Sequence, residues 1–159
     1  MGRSGWESWK KNTLGDDEMR KKGAKIRHTR AASPMLTASY LTPEVAGRDR
    51  VAVMAITQGW ATLEHLNIIL ESQQMLLFGG TRTKDQEAVE MSKFGQIAIG
   101  NIRDRMKEKG RIGATGDEIK ALRAMVDFCD DWWKRQAGST FSDAYRDVDR
   151  LWATMKEAA

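Results

Sequence analysis

The chemistry most visible in this sequence is that of a cluster of positive charge near its start. Lysine and arginine side chains on one segment neutralise phosphate groups and release counterions, which gives sequence-independent affinity for nucleic acid. We therefore expect the basic side chains of this cluster to contact the phosphates of DNA or RNA. Six basic residues and no acidic residue lie between positions 20 and 30. The basic residues are Arg20, Lys21, Lys22, Lys25, Arg27 and Arg30.

The charge of the chain is unevenly distributed. Residues 1–30 carry nine basic and four acidic residues, whereas the remaining 129 carry 17 basic and 18 acidic residues. The pI of about 9.3 is therefore a property of the N-terminal segment, and such an asymmetry indicates a polyanionic partner. Trp6, Trp9 and Tyr40 flank the basic cluster, where they can stack on exposed bases. The alternative is a solvated tail without such a partner.

A second candidate surface combines acidic and aromatic side chains. Asp131, Trp132 and Trp133 follow one another on a predicted helix. Successive helical positions lie about 100° apart, so one ring can face outward, and tryptophan is enriched at binding hot spots. This pattern favours a protein partner. The simpler interpretation places both rings in the core.

Carboxylates offer a third kind of chemistry, general acid–base catalysis. Asp127 and Asp130 lie beside the tryptophan pair, and Asp143 and Asp147 are four positions apart. We interpret both groups as a solvated acidic face with ion-pair roles, because paired charges at helical spacing are common on helix surfaces.

The chain offers little for metal or nucleophilic chemistry. It contains two histidines, His28 and His65, and one cysteine, Cys129, with no metal-ligand spacing. Cys129 falls on an apolar helical seam, where a thiol behaves as a small hydrophobe. We therefore predict a protein that is not an enzyme and that binds neither a metal nor a cofactor.

The pattern along the chain predicts an all-α fold. Residues 1–41 form a basic, poorly structured arm and hinge, and residues 42–159 form a helical bundle of four to five helices. Apolar residues at 3-4-3-4 spacing, without period-two alternation, indicate helices. They are Ile119, Leu122, Val126, Cys129 and Trp133 in one helix and Phe141, Ala144, Val148, Leu151 and Met155 in the last.

Glycines and capping residues predict where these helices begin and end. Thr42-Pro43 starts the first helix, Gly59 bends or breaks the chain, and Gly79-Gly80 stops the second helix. The third helix, about 84–109, is capped by Thr81 or Thr83 and ends at Gly110. The fourth starts with a capping box between Thr115 and Glu118 and closes at Gly138, and Thr140 caps the fifth.

The connection before the fourth helix is rich in glycine, at Gly110, Gly113 and Gly116. It lacks the spacing of a P-loop, so we interpret it as a turn and a cap. Backbone amides here, with Arg111 nearby, can alternatively hold an anion, although Glu118 competes for the same amides.

The same connection carries a resemblance. Gly-Arg-Ile-Gly-Ala-Thr-Gly-Asp-Glu at 110–118, followed by Leu122-Arg123, resembles a pattern in short uncharacterised helical proteins of proteobacterial phages and plasmids. In those proteins, as at 79–81 here, an earlier helix ends near a glycine turn. That group has no assigned activity, so the resemblance implies a mobile-element context and no site residues.

These observations lead to one preferred function and one alternative. The N-terminus has no continuous apolar core and the longest apolar stretches are shorter than a membrane span, so we expect a cytoplasmic protein without a membrane contact. The preferred function is that of a non-enzymatic accessory or regulatory protein of a bacterial mobile element that contacts nucleic acid through its arm. The alternative is an inhibitor or assembly subunit that binds a protein, or a second copy, through the acidic and aromatic helical face.

Overall fold

The computed structural model describes residues 42–159, with side chains from residue 45 onward. This part of the chain folds into five α-helices and contains no strand, which confirms the predicted all-α class. The helices are α1 Thr42–Gln58, α2 Leu63–Thr83, α3 Gln86–Lys109, α4 Gly116–Lys134 and α5 Gly138–Ala158.

Helix α2 lies at the centre of the bundle. It packs against each of the other four helices, whereas α3 and α1 also flank α4. Side chains of α2 are therefore buried in several directions, including Leu66, Ile69, Met75 and Leu76. A helix that is apolar over much of its circumference is expected in such a position.

The predicted end of α2 at Gly79-Gly80 is wrong, because the helix continues to Thr83. A Cβ atom on Gly79 would lie 2.7 Å from Cη2 of Trp133 and 3.0 Å from two ring atoms of Trp132. One on Gly80 would lie 2.9 Å from the Cβ of Ala88. These glycines allow the indole rings and α3 to approach the backbone of α2, and tertiary packing outweighs their weak helix propensity.

The predicted cap of α3 is also wrong. Helix α3 is capped by Asp85, whose carboxylate accepts a hydrogen bond from the Ala88 amide at 3.2 Å, and not by Thr81 or Thr83. Their hydroxyls instead donate to backbone carbonyls of the preceding turn of α2. An Asp carboxylate one residue before the helix satisfies the free amides that a cap must satisfy.

The junction between α4 and α5 also differs from the prediction. Helix α4 ends at Lys134, before Gly138, and Gly138 is the first residue of α5. Thr140 is already helical, because its amide and that of Phe141 donate to the carbonyl of Ala137 at 3.0 and 3.4 Å. Helix ends placed from sequence commonly shift by a few residues in this way.

The remaining predicted boundaries are confirmed. Gly59 separates α1 from α2 with φ +81°, a conformation that favours glycine. Gly110 ends α3 with φ +69°, and its amide donates to the Met106 carbonyl. At the start of α4, the side chains of Thr115 and Glu118 each accept a hydrogen bond from the other residue's backbone amide, which is the predicted capping box.

The core confirms most of the predicted apolar seams. In α4, Leu122, Val126, Cys129 and Trp133 are buried and Ile119 is half-buried. In α5, Phe141, Ala144 and Val148 are buried, Leu151 is half-buried and Met155 is exposed. The end of α5 thus extends beyond the packed part of the bundle.

Candidate functional site

The six basic residues predicted to contact nucleic acid lie outside the described residues. They are Arg20, Lys21, Lys22, Lys25, Arg27 and Arg30. Their assignment therefore depends on the sequence alone, and the helical body supplies its own candidate groups.

The aromatic part of the predicted protein-binding face belongs to the core. Trp132 is 1% exposed and Trp133 is 4% exposed, while Asp131 faces solvent. The indole nitrogen of Trp132 donates to Asp85 at 2.8 Å, and the Trp133 ring packs edge-on against Phe141 with centroids 5.0 Å apart. The alternative in which one ring faces outward is therefore wrong, and the simpler core interpretation is confirmed. Helix α4 contacts α1, α2 and α3, so two adjacent helical positions are both covered.

The acidic residues of α4 and α5 form ion pairs, as the interpretation of an acidic face predicts. Arg50 of α1 lies 3.0 Å from Asp130 and 3.7 Å from Asp127. Partial burial opposes ionisation of Asp130, but hydrogen bonds from Lys134 and Arg50 outweigh it, so its pKa is lowered. These contacts join α1 to α4.

Helix α5 is joined to α2 in a similar manner. Arg82 donates two hydrogen bonds to Asp147, at 2.7 and 3.0 Å, and this pairing lowers the pKa of the carboxyl group. Asp143 pairs with Arg146 on its own helix at 3.3 Å. Both carboxylates have a structural explanation.

A polar cluster inside the bundle was not recognised from the sequence. Asp49 of α1 is 3% exposed, and its two carboxylate oxygens lie 2.7 Å from the hydroxyl of Ser72, which donates to that group. Burial raises the pKa of Asp49 to about 7, although the Ser72 hydrogen bond and the nearby Arg48 and Arg50 act in the opposite direction. A carboxyl group that titrates near neutral pH is a candidate for acid–base chemistry.

The space beside Asp49 limits what this group can do. The cavity lined by Asp49, Ser72 and Cys129 has a volume of about 30 Å³. A water molecule needs at least roughly 10–15 Å³ of such space, so the cavity fits one or two waters and no organic substrate. The signal for Asp49 is its position in the sequence, because it continues the apolar stripe of Ala52, Val53 and Ile56 at helical spacing.

The surroundings of Cys129 and His65 explain both side chains as structural residues. Cys129 is 4% exposed, and burial raises the pKa of its thiol well above the ordinary value, which disfavours the reactive thiolate. His65 is half-buried, and its Nδ1 accepts a hydrogen bond from the Thr62 amide at 3.0 Å. Among residues 42–159, no group of three or more His, Cys, Asp or Glu side chains is placed to hold a metal ion.

The alternative function of the glycine-rich connection, binding an anion at its backbone amides, is opposed by the side chain of Glu118. Glu118 accepts from the Thr115 amide at 2.8 Å and pairs with Arg105 at 2.7 Å. The Arg105 hydrogen bond lowers the pKa of Glu118, so a negative charge already occupies this helix start.

Comparison with family models, with curated proteins and with solved structures finds no match to this chain. Within the described part of the chain, none of the helices is long and apolar enough to cross a membrane.

Proposed function

We propose that this chain is a non-enzymatic accessory or regulatory protein of a bacterial mobile element, which contacts nucleic acid through its basic N-terminal arm. The observation that carries the proposal is the uneven charge. The arm holds the whole positive excess of the chain, while residues 31–159 are close to neutral. A local cationic segment on a neutral body is suited to phosphate contacts. The mobile-element context follows from the resemblance of residues 110–118.

The burial of the tryptophan pair weakens the alternative function. A protein-binding face on α4 would need exposed aromatic side chains to supply hot-spot contacts. Trp132 and Trp133 are instead core residues, and Asp131 alone of the three is exposed. The arm is therefore the preferred candidate.

The experiment is a salt titration of binding to duplex DNA, single-stranded DNA and RNA by the full-length protein. The test variant carries Lys21→Gln, Lys22→Gln and Lys25→Gln. The control variant carries three matched substitutions in the body, Lys93→Gln, Lys120→Gln and Lys156→Gln, at exposed positions. Both variants lose three positive charges, so only the position of the lost charge differs.

We expect a log–log salt slope of about −5 on duplex DNA for the unaltered protein, if all six basic arm residues contact phosphates. The arm variant should lose about 2.7 units of slope, and the body variant should keep most of it. Equal slopes for the two variants, or no binding at low salt by the unaltered protein, would contradict the proposal.

A further inference from the structure

The outer face of α3 exposes two large apolar side chains. Phe94 is 52% exposed and Ile97 is 66% exposed, whereas the opposite side of the same helix is buried against α2 and α4. The two residues are three positions apart, so they lie on one face of the helix. Exposed apolar residues are common on protein surfaces, so the groups around this pair must indicate what covers it.

Charged residues flank the apolar pair in a regular order along α3. Glu90 and Lys93 lie towards the start of the helix, and Asp104 and Lys107 lie towards its end. All four side chains are exposed, and none of them forms an ion pair within residues 42–159. Their charges are therefore available to another molecule.

The order of these charges is complementary to itself when it is reversed. Along α3 the signs are negative and positive before the apolar pair, and again negative and positive after it. A second copy of the helix, running antiparallel, presents the opposite sign at each place. A twofold axis that crosses α3 between positions 98 and 99 brings Lys93 opposite Asp104 of the second copy, and Glu90 opposite Lys107 of that copy. The symmetry makes each pair occur twice.

The apolar pair fits the same alignment. Ile97 lies opposite Gly100 of the second copy, where the absence of a side chain leaves room for it. The packing of a single copy does not require glycine at this position, because a Cβ atom on Gly100 would have nothing within 4 Å. Glycine in the middle of a helix is unfavourable, and the close approach of a second helix explains its presence here.

Other alignments of the two helices lose this match. A shift of three residues, which brings Ile97 opposite Ile97 of the second copy, would place Glu90 opposite Asp104. A shift of four residues in the other direction would place Ile97 opposite Asp104. Facing like charges and burying a carboxylate against an apolar side chain are both unfavourable.

We propose that two copies of this chain associate through the outer faces of α3, as an antiparallel and twofold-symmetric helix pair. The charges select a second copy over another apolar partner, because both halves of the match lie on one helix. A single helix pair buries less than the roughly 1,200 Å² of a stable interface, so we expect a dissociation constant of about 10–100 µM. The proposal goes beyond the proposed function and does not rest on it.

The test is sedimentation equilibrium of the full-length protein from about 1 to about 500 µM, a range that spans the expected dissociation constant. The apolar variant carries Phe94→Ser and Ile97→Ser. Its matched control carries Leu63→Ser and Met155→Ser, at positions 57% and 54% exposed on other helices. The apolar variant should remain monomeric, and the control should dimerise like the unaltered protein. Unchanged urea midpoints establish that each variant keeps its fold.

A pair of charge variants tests the alignment. Lys93→Glu and Asp104→Lys should each raise the dissociation constant about 10- to 30-fold, because the two facing pairs become like-charged. An equimolar mixture of these two variants forms oppositely charged pairs between unlike copies. The mixture should therefore dimerise within about threefold of the unaltered protein. The matched controls, Lys120→Glu and Asp131→Lys on the exposed surface of α4, should have no effect alone or mixed.

Several results would overturn the inference. They are an unaltered protein that is monomeric throughout, an assembly larger than a dimer, a dimer that the apolar variant retains, and a mixture of charge variants that associates no better than each alone. None of these results bears on the arm. Nucleic-acid binding is measured at protein concentrations far below this dissociation constant, where the chain is monomeric, so the Lys93→Gln substitution in that control does not act through the dimer.

Discussion

Replacing Asp49 with asparagine removes one buried titratable group and tests how the stability of the core depends on pH. Burial raises the pKa of this carboxyl group from 3.8 to about 7. The folded protein therefore holds the Asp49 proton more tightly than the unfolded chain does. The stability that comes from the neutral carboxyl group is full below about pH 4 and is lost as the pH rises from there to about pH 7.

The size of the effect follows from the two pKa values. A difference of about three units corresponds to about 4 kcal/mol when the titration is complete, at about 1.36 kcal/mol per unit. Between pH 5 and pH 8 the unaltered protein should lose about 2.5 kcal/mol through Asp49. The carboxyl groups of Glu118, Asp130 and Asp147 have lowered pKa values, so their contribution is lost only as the pH falls below the ordinary carboxyl range.

The assay is urea unfolding at pH 5 and pH 8, with the free energy of unfolding obtained by linear extrapolation. Asparagine keeps the volume of the side chain and an acceptor for the Ser72 hydroxyl. The free energy of unfolding of Asp49→Asn, minus that of the unaltered protein, should therefore increase by about 2.5 kcal/mol between pH 5 and pH 8. The control is Asp127→Asn, whose side chain is 72% exposed and should show no such gain. A pH-independent difference for Asp49→Asn would refute the argument that burial controls this group.

The packing of the core gives two further predictions, each measured by urea unfolding. Gly79→Ala should destabilise the fold by about 1–3 kcal/mol, because its Cβ would lie 2.7 Å from the Trp133 ring. The control Gly100→Ala, whose Cβ would have nothing within 4 Å, should be neutral or stabilise the fold by up to about 1 kcal/mol. Equal effects of the two substitutions would contradict the close approach of Trp133 to Gly79. Asp85→Ala should cost about 2 kcal/mol because it removes a helix cap and the acceptor for the Trp132 nitrogen, and Asp85→Asn should restore at least half of that loss. A neutral Asp85→Ala would show that neither hydrogen bond stabilises the fold.

The elements that could be predicted from the sequence depend on short-range chemistry. The capping box of Thr115 and Glu118 and the helix end at Gly110 involve residues within one turn of each other, so the sequence contains all the information that they need. The apolar seam of α4 was predictable for the same reason, because helical spacing alone determines which side chains share a face.

The elements that could not be predicted depend on contacts between distant residues. Gly79 looks like a helix stop, and only the neighbouring Trp133, which is far away in the sequence, makes it a position of close packing. The buried carboxyl group of Asp49 is a similar case. Its spacing places it on the apolar stripe of α1, but its hydrogen bond with Ser72 follows from the packing of α1 against α2.

The central position of α2 explains why several of its residues have the types that they have. Because α2 packs against all four other helices, its positions 79 and 80 require glycine, which leaves room for the tryptophan rings and for α3. For the same reason its Ser72 is buried and donates a hydrogen bond to the buried Asp49. The inner faces of the helices are thus used for packing, and ion pairs such as that between Arg82 and Asp147 join neighbouring helices, whereas the outer face of α3 leaves Phe94 and Ile97 exposed.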